Sequence, residues 1–533
     1  MHESDADLPG RVDHSELVGV CNGTGGIMKR ALIVVHTNTY FTGLLLVGRM
    51  LKRSGRYEPA FLFAQTYPTI SRDVAVCRAE GMSCLSPVGE VIGSSEGEFL
   101  SGGTVSKRRR VASRLRERSC RPIARMLKDS CFAVLRRMKI TRGAVLQRSA
   151  ITPMLRFIRG TFHSLRHLAA QLRFARGLIR RLKPSFLVLG GDLVGYDTAV
   201  FVKAAHAEHV PVVVAPGWMA SAREAGEAYA YDPAYRVQGW PNRLCSTLYP
   251  RWVHEHKGHK LLRLPAAQVL AREWLGLAPP LPWVLHSGDA DAIAVESDAM
   301  RTYCVSEGLP AEQLVLTGSL AHDVMAEIRE DVIGRRTELY HRLGLPEDRP
   351  MLLAALPPDF LYMAGGRPEC GFRTYNELAE FWIQALAAVG EYNVVISLHP
   401  SVAYEDMKHI EQQAVRISED PTMALIPLCD VFVASVSATI QWAIACGKPV
   451  LNYDVYRYRY ADYADAEGVI SVEEKDEFLS VLRRVTGDHA SYAEIAARQA
   501  ACADQWGQLD GRAGERMMQL FEQLMRRYEA GCA

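Results

Sequence analysis

Two short loops carry residue types suited to holding a phosphate. The first is Ser435-Val436-Ser437-Ala438-Thr439, between the apolar run Val431–Ala434 and Ile440-Gln441-Trp442-Ala443-Ile444-Ala445-Cys446. Small hydroxylated residues at a helix start leave backbone N–H groups unpaired, and those groups with the positive helix end suit an anion. A serine N-cap also opens many α/β helices that bind nothing. The second loop is His399-Pro400-Ser401, directly after the run Asn393–Leu398. An imidazole at a strand's C-terminal end can donate to a phosphate oxygen, and Pro400 stiffens the turn that presents it. A His-Pro pair is otherwise a plain loop, but two such loops on successive parallel strands would face one cleft.

A reaction that takes a proton from a hydroxyl needs a base, and carboxylates at strand ends are the candidates. Asp192, after the run Ser185–Gly190, leads; Asp197 and Glu224 follow. An Asp there equally caps the next helix. His36 and Thr37 end the first apolar run and are candidates for contact with donor or acceptor, or a loop without a role. Asp359, in Leu356-Pro357-Pro358-Asp359-Phe360, and Tyr453, heading Tyr453-Asp454-Val455-Tyr456-Arg457-Tyr458-Arg459-Tyr460, are candidates for donor contact. Arginines between tyrosines can stack a base or sugar and pair with phosphate; the alternative is a packed surface loop.

These residues need parallel strands to present them. Apolar runs at 31–35, 59–63, 185–190, 210–214, 291–295 and 314–318 predict strands, with a helix over 198–208 between two of them. A second series begins at 351–356 and continues at 393–397, 423–427, 431–434 and 450–453. Strands alternating with helices imply parallel sheets, with ligands beyond the strands' C-terminal ends. The predicted division is a disordered extension over 1–27, an acceptor-side α/β domain over 28–343, a donor-side α/β domain over 344–490, and C-terminal helices over 491–533. A chain of 533 residues is too long for one core.

Composition narrows the class. With 48% hydrophobic and 23% charged residues the chain is not disordered overall. Its 12 cysteines occur without CxxC pairs, which points to reduced thiols and a cytoplasmic location. No apolar run approaches the roughly 20 residues of a membrane span. A formal charge of +2 conceals an asymmetry: residues 107–183 hold 23 Lys or Arg against Glu117 and Asp129, net +21, leaving the other 456 residues at −19. This predicts a basic helical insertion in the first domain. From Leu165 to Leu182 its apolar stripe is expected to pack on its own domain. From 107 to 159 it is expected to contact an anionic membrane surface, making the protein peripheral on the inner face. Charge alone allows DNA, but no nucleic-acid motif supports it and no nucleic-acid partner is expected.

The two-domain order resembles glycosyltransferases of the GT-B fold. Ser397-Leu398-His399-Pro400 and Ser435–Thr439 are similar to the HP and Ser-Ser/Thr motifs of the bacterial polysialyltransferase and CDP-glycerol glycerophosphotransferase-like groups. Val315–Asp323 resembles the segment that closes the first domain in this fold. The resemblance implies an α/β protein with two dinucleotide-fold-like domains facing across a cleft. It implies a glycosyltransferase of surface polysaccharide, capsule or glycolipid synthesis. A nucleotide-activated sugar or polyol would be donor and co-substrate, a glycan or lipid-linked molecule the acceptor, and no metal or other cofactor is expected. Donor contacts then fall to His399, Pro400, Ser401, Ser435, Ser437, Ala438, Thr439 and Gln441, with catalytic roles for Asp192 and His399. The non-hydrolysing UDP-N-acetylglucosamine 2-epimerases share the fold, and Lys183–Asp192 is similar to one of their strands. Their N-terminal GTRPE loop is absent, and their SGGIQEE motif reads Ser437-Ala438-Thr439-Ile440-Gln441-Trp442-Ala443, without either glutamate. An epimerase or hydrolase, and a non-catalytic scaffold of the same fold, remain the alternatives.

Overall fold

The structure is a computed structural model that describes residues 28–92, 148–217, 222–357, 359–361, 370–399, 402, 404–412, 414–460 and 462–531. The expected extension 1–27 and most of the basic segment lie outside them, as do Pro400 and Ser401.

Two parallel sheets organise the chain. The first contains β1 (Lys29–Val35), β2 (Tyr57–Phe63), β3 (Ser83–Leu85), β4 (Phe186–Leu189) and β5 (Val212–Val214). After a small antiparallel hairpin, β6 (Val253–His256) and β7 (His259–Leu262), it is completed by β8 (Ala292–Val295) and β9 (Leu314–Leu316). Its order is β3-β2-β1-β4-β5-β8-β9. The second sheet contains β10 (Met351–Ala355), β11 (Asn393–Ser397), β12 (Val415–Ser418), β13 (Val431–Ala434), β14 (Val450–Tyr453) and β15 (Val469–Val472), ordered β12-β11-β10-β13-β14-β15. In each sheet the chain first winds outward to one side, then returns to the other. The reversals fall between β1 and β4 and between β10 and β13, where loops diverge and leave a crevice.

Alternation along the strands explains the layering. Ala31, Ile33 and Val35 enter one core, with the helices Asn38–Arg53 and Ala513–Gly531, while Leu32 and Val34 enter another, with the helices Arg148–Leu182 and Thr198–His206. In the second sheet Leu352 and Ala354 face the helices Tyr375–Ala387 and Lys475–Gly487. Met351 and Leu353 face the helices Leu320–Arg329, Val332–Leu343 and Ile440–Ala445. Both sheets are therefore covered on both faces, which is why their strands read as continuous apolar runs.

Three expectations are revised. The run 423–427 is not a strand: it forms the helix Thr422–Leu425 and a 3₁₀ turn Ile426–Leu428, opened by Pro421. A short, largely buried apolar run has no period to distinguish helix from strand. The neighbouring edge strand is β12, where Arg416 interrupts the apolar pattern. The helix Val332–Leu343, read with the first domain, packs Leu339 and Tyr340 under the second sheet. The C-terminal helices also divide. His489–Trp506 places Trp506 in the second domain's core, whereas Ala513–Gly531 returns to the first, stacking Phe521 on Phe186 at 4.4 Å. Asp323 fixes that return, accepting from the amides of Ala513 and Gly514 at 2.8 Å each. From Leu165 to Leu182 the basic helix packs Leu168, Leu178, Ile179 and Leu182 on its own sheet.

Candidate functional site

On the second sheet, Ala354 pairs with Val433 and Ala355 with Ser397. Extending that register puts Ser435 level with Leu356, at the crevice, and His399 one residue further out. The expectation of successive strands is corrected here: β12 intervenes in sequence and β10 in the sheet. Two strand spacings separate the columns of His399 and Ser435 by about 10 Å.

The loop after β13 is held in an uncommon shape. Val436 has φ 45°, a left-handed conformation that costs a β-branched residue on the order of 1–2 kcal/mol. Its amide donates to Asn452 Oδ1 at 2.9 Å, and Asn452 Nδ2 donates to Ser471 Oγ at 3.0 Å, so β14 and β15 fix the loop. Ser437 Oγ and Thr439 Oγ1 share a hydrogen bond of 2.8 Å, and Tyr463 donates to the Ser437 carbonyl at 3.0 Å. The buried hydroxyl of Ser435 has no partner among the described residues. His399 is half-buried, and burial lowers its pKa. Beyond β10, Asp359 accepts from the Leu361 amide at 3.0 Å. Tyr453 is only 1% exposed, with its ring clustered with those of Trp382 and Phe478, so it belongs to the core rather than the crevice. Arg457 and Arg459 pair with Glu474 and Glu473.

The first sheet puts His36 and Asp192 on either side of its own reversal, after β1 and β4. His36 is 4% exposed and burial pushes its pKa down to about 4, so it is neutral at pH 7. Its Nε2 has no partner among the described residues. Thr37 precedes the helix Asn38–Arg53 and donates to Asn38 Oδ1 at 3.1 Å. Asp192 is buried, accepts from the Thr198 hydroxyl, and lies so close to Gly288 that a Cβ there would fall 1.5 Å from Oδ2. Burial raises its pKa, against the hydrogen bonds from Thr198 and the Gly288 amide. Asp197 starts the helix Thr198–His206 at φ 58° and pairs with Arg272. Glu224, on the helix Ala222–Tyr229, is half-buried, and loss of solvation, then Asp462, pushes its pKa up to about 7.

The two sides touch. Gln441 Nε2 donates to the Gly217 carbonyl at 3.4 Å, and Trp442 Nε1 donates to Glu296 Oε2 at 3.1 Å. Glu296, at the end of β8, is 2% exposed, and burial pushes its pKa up to about 8 despite the bonds from Trp442 and Ser319. His322 Nε2 lies 3.7 Å from the same oxygen, and burial pushes that imidazole down to about 4. At pH 7 this is a neutral pair.

Glu296, Asp462, Tyr463 and Arg263 were not among the sequence candidates. Glu296 carried the same signal as Asp192, an acid directly after a buried strand. Asp462 approaches Glu224 from the other domain, and burial, then Glu307, pushes its pKa up to about 6. Arg263 is 2% exposed, with its guanidinium 4.8 Å from the Tyr229 ring and 5.8 Å from that of Trp283. Nothing in sequence spacing links those three residues.

No protein-family model and no curated protein matches the chain. Solved structures do. The calicheamicin glycosyltransferase CalG4 superposes with a TM-score of 0.50 at 13% identity, over 94% of this chain and 99% of that one. The wall teichoic acid polymerase TagF gives 0.47 at 9% identity, over 94% and 89%. The UDP-GlcNAc 2-epimerase of Neisseria meningitidis, bound to UDP-GlcNAc, gives 0.45 at 12% identity, over 93% and 100%. The likeness to CalG4 and the two parallel sheets place the chain in the GT-B fold.

Proposed function

We propose that the chain is a glycosyltransferase, or a glycerophosphotransferase-like transferase, that takes a nucleotide-activated donor in surface polysaccharide or glycolipid synthesis. The reading rests on one observation: the hydroxyl-rich loop after β13 flanks the second sheet's crevice while bonded residues beside it reach the first sheet. The donor's phosphates would lie along Ser435–Thr439 and His399. A separation of about 10 Å suits two contacts along a diphosphate better than two on one phosphate. His399, losing water to its surroundings, would stabilise leaving-group charge by hydrogen bonding, together with loop amides and without a metal.

For the base we favour Glu224 over Asp192. A group with pKa near 7 is ionised often enough to accept a proton and basic enough to hold it. Asp192 is already bonded to Thr198 and packed on Gly288, which suits a positioning role. The acceptor would approach over the first sheet, past His36 and Thr37.

Titration calorimetry with CMP-, CDP-, UDP- and GDP-linked donors tests the proposal. One class should bind, and His399→Ala should weaken it by roughly 10- to 100-fold, as for a lost hydrogen bond to a charged group. If no donor binds, the reading is wrong. Incubation with donor alone separates transfer from its rivals, since an epimer or free sugar without acceptor would mark an epimerase or hydrolase.

A further inference from the structure

Arg263, directly after β7, is a buried cation with nothing to pair with. Its Nε and Nη1 have no hydrogen-bond partner among the described residues, and it forms no ion pair with any of them. Burying a guanidinium without a counter-charge is costly, and ring faces offset only part of that cost. The rings of Tyr229 and Trp283 are those faces. Glu227, the buried acid of the adjoining helix Ala222–Tyr229, is already claimed by His256 and Lys257, at 3.1 and 3.0 Å. A buried donor set left open in this way calls for a ligand that supplies the acceptor atoms.

The surroundings hold the guanidinium in place. The Arg263 amide and Trp283 Nε1 both donate to the Trp252 carbonyl, at 3.0 and 2.8 Å, which fixes the hairpin against the segment 283–288. That segment reaches the first sheet's crevice. The His286 amide donates to the Asp192 carbonyl at 2.8 Å, and the Asp192 amide donates to His286 Nδ1 at 3.1 Å. Tyr196 lies within electrostatic reach of Tyr229 and Arg263, and Tyr40 within reach of Tyr196, Asp192 and Glu224. Tyr196 and Tyr229 are half-buried, so solvent begins one side chain away from the guanidinium.

We propose that Arg263 anchors an oxyanion of the acceptor, a carboxylate or a phosphate, through the N–H donors left open beside Tyr229 and Trp283. The guanidinium fork matches two oxygens of such a group, and the low-dielectric setting strengthens the pairing. A neutral acceptor would leave the buried charge uncompensated, so Arg263 selects by charge as well as by shape. The anchored molecule lies in the same domain as Glu224 and Asp192, apart from the hydroxyl-rich loop after β13. Calling the ligand an acceptor rests on the transferase reading; the anion site itself does not.

Calorimetry of the full chain without any nucleotide is the test, with glucuronate, glucose 6-phosphate and glucose as probes. At least one anionic probe should bind, about tenfold or more tighter than glucose, and which one binds separates carboxylate from phosphate. Arg263→Met should abolish that preference. Its melting temperature should hold or rise, because the variant no longer buries an uncompensated charge, whereas loss of a purely structural arginine would lower it. Arg263→Lys keeps the charge without the fork and should bind about tenfold weaker. Anionic probes that bind no better than glucose overturn the proposal, as does unchanged affinity in Arg263→Met or Arg263→Lys. So does binding that survives Arg263→Met and is lost in His399→Ala, which belongs to the second crevice. Failure of every nucleotide-linked donor to bind would sink the transferase reading and leave this result untouched.

Discussion

The crevices of the two sheets are built from opposite materials. The first is lined by groups that handle protons: His36 held neutral, Asp192 and Glu224 held above the usual carboxylate range. The second presents hydroxyls, amides and one imidazole, and neither loop that carries them, Ser435–Thr439 nor Ser397–Val402, contains a carboxylate. A phosphate held by those two loops meets no like charge from them. A hydroxyl entering the first meets groups able to take its proton. One fold unit, used twice, carries different sets of side chains on its loops.

The comparison is broken most directly at Glu224. Glu224→Gln should lower kcat by about 10²- to 10⁴-fold while donor affinity stays unchanged in calorimetry. In the natural protein kcat/KM should rise with pH through about 7, because the carboxyl must ionise to accept a proton, and the variant should lose that limb. Asp192→Asn should lower kcat by less than about tenfold; the reverse ranking would exchange the two roles.

The second crevice is probed at Asn452. Asn452→Ala leaves the Val436 amide without its acceptor and should cost about 1–3 kcal/mol in chemical denaturation, with weaker donor binding. Unchanged affinity would mean that the left-handed turn at Val436 is unrelated to the ligand.

A separate effect concerns the contact between the sides. Glu296 holds a proton in the folded state up to about pH 8, against an ordinary value of 4.5. The folded state thus binds more protons than the unfolded one in that window. This contribution to stability is full below about pH 4.5 and declines as pH rises to about 8. Glu296→Gln should flatten the decline in melting temperature measured from pH 5 to pH 8.

Much of this was legible in the chain. Strands buried on both faces announce themselves, as Leu32 to Val35 and Val431 to Ala434 do. The loop Ser435–Thr439 was readable as a strand-to-helix turn because small hydroxylated residues followed such a strand. Two edge strands were not readable: β3, Ser83-Cys84-Leu85, and β12, with Arg416, carry too little apolar pattern to register. The site was legible only where one loop supplied it. Trp442 with Glu296, or Arg263 between Tyr229 and Trp283, are long-range meetings that local spacing does not encode. Tyr453 misled because a strand's last residue can point inward as readily as out.

The helix Ala513–Gly531 also sets an order of events during synthesis. Met517, Leu520, Phe521 and Leu524 complete a core that begins at Ala31, yet the whole second domain is translated between them. A ribosome releases the first sheet with that face only partly covered, by the helix Asn38–Arg53, while the second domain can close as it emerges. The half of the molecule made first is therefore the half finished later. The part of that face left uncovered is the surface a holdase chaperone would meet on the nascent chain.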